Sequence, residues 1–173
     1  MAEIVKVYRQ EIPAMRFIGK KYGDADRVNG MFGALWGTWF QNNWFAALES
    51  QIGDTWKGVY EDGDAYVGLM RWKEGEPFAY WIGMFAPADS PAPEGYAFCD
   101  FPAAALGVCW VYGKEPEVYG IECKCGESLN KANLSIIPDE SGAFWFFERY
   151  GCPRFTTPDE KGNIILDVCH YVK

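Results

Sequence analysis

The chain reads as an α+β protein in which two strand–helix–hairpin modules follow one another and pair into a single antiparallel sheet with two helices on one face. Three observations lead there. Short motifs recur in both halves: Ile12-Pro13-Ala14 returns as Phe101-Pro102-Ala103, and Tyr22-Gly23 as Tyr112-Gly113. The order strand, helix, hairpin occurs twice, and repeated element order marks repeated units. Between the copies, Ala86-Pro87-Ala88-Asp89-Ser90-Pro91-Ala92-Pro93 has the prolines of an extended spacer. Helices laid on one side of an antiparallel sheet bury the apolar surface of both layers. The expected organisation is one domain over residues 1–173, with a first module at 1–87, a Pro-rich linker at 86–95 and a second module at 95–173.

In the first module, Val5, Val7, Met15, Phe17 and Ile18 form a strand run bent at Pro13, which cannot donate to a ladder. Residues 26–50 are expected as one helix: Phe32, Leu35, Trp36, Trp39 and Phe40 recur at helical spacing, with Asp26 as its cap. Tyr66–Trp72 and Phe78–Phe85 then form a hairpin across the turn at Lys73–Glu76. In the second module, Leu106, Val108 and Trp110 share one face of a strand. A weaker helix is expected over 117–133, with Val118, Ile121, Cys125, Leu129 and Ala132 in register. A second hairpin joins Phe144–Tyr150 to Asn163–Val172.

Eight Trp, ten Tyr and twelve Phe exceed what a core of this size requires, and amphipathic rings in surplus suit a lined cavity or a sticky surface. The net charge of −8 comes without any basic stripe, which argues against binding a phosphate backbone directly. An acidic protein attracts cations instead. No apolar run follows a basic N-terminal segment and none is long enough for a membrane span, so neither a signal peptide nor a membrane role is expected. The six cysteines are then reduced thiols of a cytoplasmic protein.

The stretch Phe144-Trp145-Phe146-Phe147-Glu148-Arg149-Tyr150 carries the most chemistry. On a strand, Phe144, Phe146, Glu148 and Tyr150 share one face, and Trp145, Phe147 and Arg149 the other. The pleat therefore turns Arg149 away from Glu148, leaving a carboxylate among rings without a local counter-ion. Such a charge is costly unless neutralised, paired or kept wet. By sequence it is either a solvated strand-edge residue or the charge partner of a ligand. Aromatic faces attract organic cations by about 0.5–2 kcal/mol each, and a carboxylate beside them adds a Coulomb attraction that grows as water leaves.

Other chemistries find little support. One histidine, His170, and one close cysteine pair, Cys123 and Cys125, do not make a metal site, and no cofactor motif is present. Cys169 and His170 are strand neighbours that point apart, which weakens a thiol–imidazole pair. The glycines between Gly30 and Gly37 lack the lysine of a phosphate loop.

Several segments resemble the GyrI-like small-molecule-binding domains, which include gyrase-inhibitory proteins and the effector-binding domains of bacterial multidrug-responsive transcription activators. Ile12-Pro13-Ala14 is similar to the family's opening strand and Leu35-Trp36-Gly37-Thr38-Trp39-Phe40 to its first helix. Gly58-Val59-Tyr60 with Ala65-Tyr66-Val67-Gly68 resembles the strand after that helix. Phe147-Glu148-Arg149-Tyr150 resembles its Phe-Glu-x-Tyr motif. The resemblance implies two pseudo-symmetric modules on a curved sheet, and an aromatic pocket in which Glu148 receives lipophilic cations. The terminal His170-Tyr171-Val172, where many members have a proline, and a second helix rich in Cys and Gly depart from the pattern. No helix-turn-helix precedes the domain, so direct DNA binding is not implied.

The expected function is capture of hydrophobic, often cationic, aromatic compounds between the two halves. Glu148 is the charge partner, with Phe146, Tyr150, Trp39, Trp72, Tyr80 and Trp110 as the lining rings. Two alternatives stand beside it. One is a hydrolase of strained or electrophilic compounds of the cyclopropane-bearing genotoxin type, in which Glu148 is the catalytic residue that positions water. The other is a protein-interaction module that inhibits a partner such as gyrase.

Overall fold

Two prolines divide the opening strand of each module at the same place. In the computed structural model, which describes residues 1–173, β1 (Glu3–Ile12) stops before Pro13 and β2 (Met15–Gly23) resumes beyond Ala14. β5 (Ala97–Phe101) and β6 (Ala104–Gly113) are divided around Pro102 in the same manner. Proline has no N–H for the ladder, so the chain bends there. The two pieces then join different neighbours: β1 pairs with β6, and β5 with β2. Each module's first strand therefore edges the other module's half of the sheet, an exchange that the sequence did not reveal.

The other elements are α1 (Gly33–Gln41), α2 (Trp44–Ile52), β3 (Tyr66–Trp72), β4 (Ala79–Pro87), α3 (Glu122–Lys131), β7 (Phe144–Tyr150) and β8 (Ile164–Val172). All eight strands lie in one antiparallel, unclosed sheet of order β1-β6-β8-β7-β3-β4-β2-β5. Exchanging the modules leaves that order unchanged, so the α+β class and the two pseudo-symmetric modules are as expected. The halves meet where β3 pairs with β7, centred on Leu69 opposite Phe147.

The helices need two corrections. The first expected helix is two, because Asn43 adopts φ +55° and ends the α1 turn before α2 begins. Asparagine tolerates this left-handed backbone better than most residues. Nor does the helix begin at Asp26, whose carboxylate accepts from the Gly23 amide in a short 3₁₀ turn. Asn29 and Gly30, with φ of +52° and +77°, then form a tight turn that brings Val28 and Met31 into a bridge. Asn-Gly is a strong hairpin signal that the helical spacing around it outweighed. Likewise, residues 117–133 form a 3₁₀ turn, Glu117–Gly120, and then α3. Gly58-Val59-Tyr60 lies in turns, and the strand after the helices begins at Tyr66.

Side-chain alternation sends two cores to opposite faces. On the helix side, Trp39, Phe45 and Leu48 pack on Ile18, Met70, Tyr80, Ile82 and Met84, while Cys125 and Leu129 pack on Cys109, Val111, Leu166 and Val168. On the other side, Phe17, Leu69, Phe85, Phe101, Leu106, Val108 and Phe147 form one cluster. There Phe101 of the β5 edge stacks on Tyr171 of β8, 5.6 Å between centroids, so the sheet curls towards this face. No helix is long and apolar enough to cross a membrane.

Candidate functional site

The pleat of β7 sends Phe146, Glu148 and Tyr150 to the helix side and Phe147 and Arg149 to the other. On that far face Arg149 is only 2% exposed and donates to Asp167 at 2.8 Å. Arg154 also donates to Asp167 and reaches Asp62 at 2.7 Å, completing a buried network of two arginines and two aspartates. Arg149 is thus committed to another partner, with the sheet between it and Glu148.

Glu148 opens into a cavity of about 1010 Å³ above the β3–β7 seam. The first half contributes Trp36 and Phe40 of α1, Glu49 of α2, Tyr66 and Met70 of β3, and Tyr80 of β4. The second contributes Tyr119, Glu122, Phe146, Glu148, Tyr150 and Phe155. Gly68 lies directly across the ladder from Glu148. A Cβ there would fall 2.5 Å from the Tyr80 hydroxyl. Its missing side chain therefore admits Tyr80, which accepts a hydrogen bond from Trp36 Nε1 at 2.9 Å. Phe32 stacks on Tyr80 at 4.1 Å, Phe45 on Tyr66 at 3.8 Å, and the edge of Trp36 meets Tyr150 at 4.7 Å. These contacts fix the rings before any ligand arrives.

Glu148 has a hydroxyl for a partner and no cation. Tyr150 Oη donates to its Oε2 at 2.6 Å. Burial raises its pKa from 4.5 to about 7, against the lowering effect of the Tyr150 bond and with a smaller upward push from Glu122. The accessible surface that Glu148 retains belongs to the cavity wall, so a ring of protein surrounds the carboxyl although it is not sealed off. A carboxyl with this pKa exchanges its proton near neutrality.

Two more wall carboxylates hold tyrosines in the same way: Tyr119 donates to Glu115 and Tyr66 to Glu49. Glu122 accepts no hydrogen bond from the protein, and burial raises its pKa as well. Sequence reasoning missed Glu115, Tyr119 and Glu122, which reach the cavity only through the way the second half folds over the seam.

No family model matches the chain, and no curated protein matches it in sequence. Solved structures do. SAV2435, determined with tetraphenylphosphonium bound, superposes with a TM-score of 0.66 at 16% identity, over 98% of this chain and 94% of that one. The C-terminal domain of EcmrR gives 0.57 at 10% identity, over 97% of both chains. A hydrolase from Listeria innocua gives 0.51 at 12% identity, over 97% and 92%. The chain has the GyrI-like fold.

Within this fold the expected lining residues separate. Phe146, Tyr150 and Tyr80 stand on the cavity wall with Glu148. Trp39, Trp72 and Trp110 do not, and each departure has a physical reason. Trp39 is fully buried between α1 and the sheet and donates to the Tyr22 hydroxyl at 3.0 Å, while Trp36, three residues earlier, faces the cavity. Trp72 is on the expected face but at the end of β3, 48% exposed beside Phe144. Trp110 is on the far face, between Lys6 at 4.2 Å and Arg154 at 4.7 Å. Cys123 and Cys125 diverge on α3, one exposed and one buried, and Cys169 and His170 face opposite sides of β8.

Proposed function

We propose that this protein binds hydrophobic, often cationic, aromatic small molecules in the seam cavity, with Glu148 as the charge partner and Trp36, Tyr80, Phe146 and Tyr150 as the aromatic wall. One observation carries the reading: a carboxylate set into an aromatic cavity, held by a tyrosine hydroxyl and in no ion pair with a protein cation. Holding an anion in such a place costs stability, and an incoming organic cation repays it through cation–π and Coulomb attraction. The SAV2435 complex with tetraphenylphosphonium supports the reading, because that protein has the same fold. Titrating the protein with tetraphenylphosphonium while following tryptophan fluorescence tests it. We expect a saturable change that Glu148→Gln weakens about ten-fold or more; equal affinity in the two proteins would exclude Glu148 as the charge partner.

A second reading, hydrolysis of electrophilic compounds in the same cavity, draws on the pKa of Glu148 near 7, which suits a general base at neutral pH. Mass spectrometry of a panel of strained-ring substrates would show products gaining one water, with the gain abolished in Glu148→Gln. Unchanged substrates after prolonged incubation would dismiss it.

A further inference from the structure

The cavity wall carries more negative charge than one organic cation would neutralise. Five carboxylates line it: Glu49, Asp64, Glu115, Glu122 and Glu148. Only two basic residues do, Arg27 and Lys57, and both are engaged by acids that do not line the cavity. Arg27 pairs with Asp24 at 2.8 Å and spreads its guanidinium over Phe32, and Lys57 pairs with Asp54 at 3.2 Å. None of the five wall carboxylates has an ion pair. A tyrosine hydroxyl satisfies an oxygen of Glu49, Glu115 and Glu148, but a neutral donor leaves the charge in place. The far side of the sheet treats its buried charges differently, pairing two arginines with two aspartates. Glu49, Asp64 and Glu115 are exposed to solvent, so the carboxylates set into the wall itself are Glu122 and Glu148, and neither has a cationic partner in the protein.

The acids are also distributed. Glu148 lies on the strand floor, while Glu122 is the first residue of α3 and Glu115 lies in the turn before it. Glu122 is half-buried and receives no hydrogen bond from the protein. Glu122 and Glu148 line the same cavity, and Glu122 adds a minor upward push to the pKa of Glu148. A volume of about 1010 Å³ is at the upper end of drug-sized cavities and exceeds what a small monocation fills.

We infer that the preferred ligand is an aromatic dication, with one cationic centre at Glu148 and the second directed to Glu122 on the α3 side. The inference rests on the ligand-binding reading above and adds the charge number and the second anchor. Ring contacts serve mono- and dications alike, so discrimination between them comes from the second carboxylate.

Ethidium and propidium share the phenanthridinium ring system and differ in charge, one against two, which makes them the probe pair. Each is titrated into the full-length protein at pH 8 and low salt, following dye fluorescence. We expect propidium to bind about ten-fold tighter than ethidium, equivalent to about 1.4 kcal/mol. Glu122→Gln should remove that advantage and leave ethidium within about two-fold. Glu148→Gln should weaken both dyes. Circular dichroism confirms the fold of each variant, and Glu115→Gln supplies a second variant on the same wall, expected to act in the same direction as Glu122→Gln. Equal binding of the two dyes, or a propidium advantage that survives both α3-side variants, overturns the dication while leaving the binding reading intact. Failure of both dyes to bind overturns the binding reading and this inference with it.

Discussion

Cation binding at Glu148 should be coupled to proton release, and the structure sets the pH window. Burial raises the carboxyl from 4.5 to about 7, so the unliganded protein carries it about half protonated at pH 7. A permanent cation favours the ionised form and lowers that pKa. Affinity must then rise with pH through 7 and level off above about pH 8. For a pKa near 7 the ionised fraction changes about ten-fold between pH 8 and pH 6, so the dissociation constant of tetraphenylphosphonium should weaken about ten-fold over that interval. Glu122, also raised by burial, adds in the same direction. Isothermal titration in buffers of different ionisation enthalpy would further detect about half a proton released per ligand at pH 7. In Glu148→Gln the pH profile should flatten to within about two-fold. A wild-type affinity independent of pH, or a variant as pH-dependent as the wild type, would refute the coupling.

Four other outcomes follow from the same geometry. Because the folded pKa of Glu148 is raised, its contribution to stability is present below pH 4.5 and lost as pH rises through 7; Glu148→Gln should therefore stabilise the unliganded protein at pH 8, by at most about 3 kcal/mol, and by no more than about 1 kcal/mol at pH 5, as thermal melts at both pH values would show. Gly68→Ala puts a Cβ 2.5 Å from the Tyr80 hydroxyl, so it should cost about 1–3 kcal/mol in urea unfolding and weaken ligand binding by displacing the Tyr80–Trp36 pair. Asp167→Asn leaves the buried Arg149 undercompensated and removes one partner of the partly exposed Arg154, and should cost about 3–5 kcal/mol, with ligand affinity unchanged in the folded fraction. Trp36→Leu should weaken binding with a small loss of stability, Trp39→Ala should cost about 3–5 kcal/mol, and Trp110→Ala should leave binding unchanged.

The parity of β7 could be read from its letters because a strand has only two faces. Once Phe144–Tyr150 is a strand, Glu148 and Arg149 must separate, and the structure gives Arg149 a buried partner of its own. The two-module layout was legible because Pro13 and Pro102 interrupt equivalent strands. Which tryptophan faces the cavity was not. Trp36 and Trp39 lie less than one helical turn apart on the same arc, and the rotation of α1 on the sheet, set by packing around Phe45 and Tyr66, decides between them. Trp110 could not be placed because β6 is apolar on both faces, so periodicity gives no inside. Glu115 and Glu122 are far from Glu148 in sequence, and no local pattern links a carboxylate before a helix to a strand that follows it. The exchange of β1 and β5 was hidden for the same reason: it depends on which edge each half leaves unpaired.

Charge discrimination at constant shape tests the role of Glu148 most directly. Tetraphenylphosphonium and tetraphenylborate have nearly the same size and opposite charge, so their affinities compared at pH 8 isolate the sign of the site. We expect the wild type to bind the phosphonium at least about a hundred-fold tighter than the borate, and Glu148→Gln to reduce that ratio by about ten-fold or more. Comparable affinity of the wild type for both ions, or a ratio untouched by the substitution, would contradict the assignment of the cavity to cations held by Glu148.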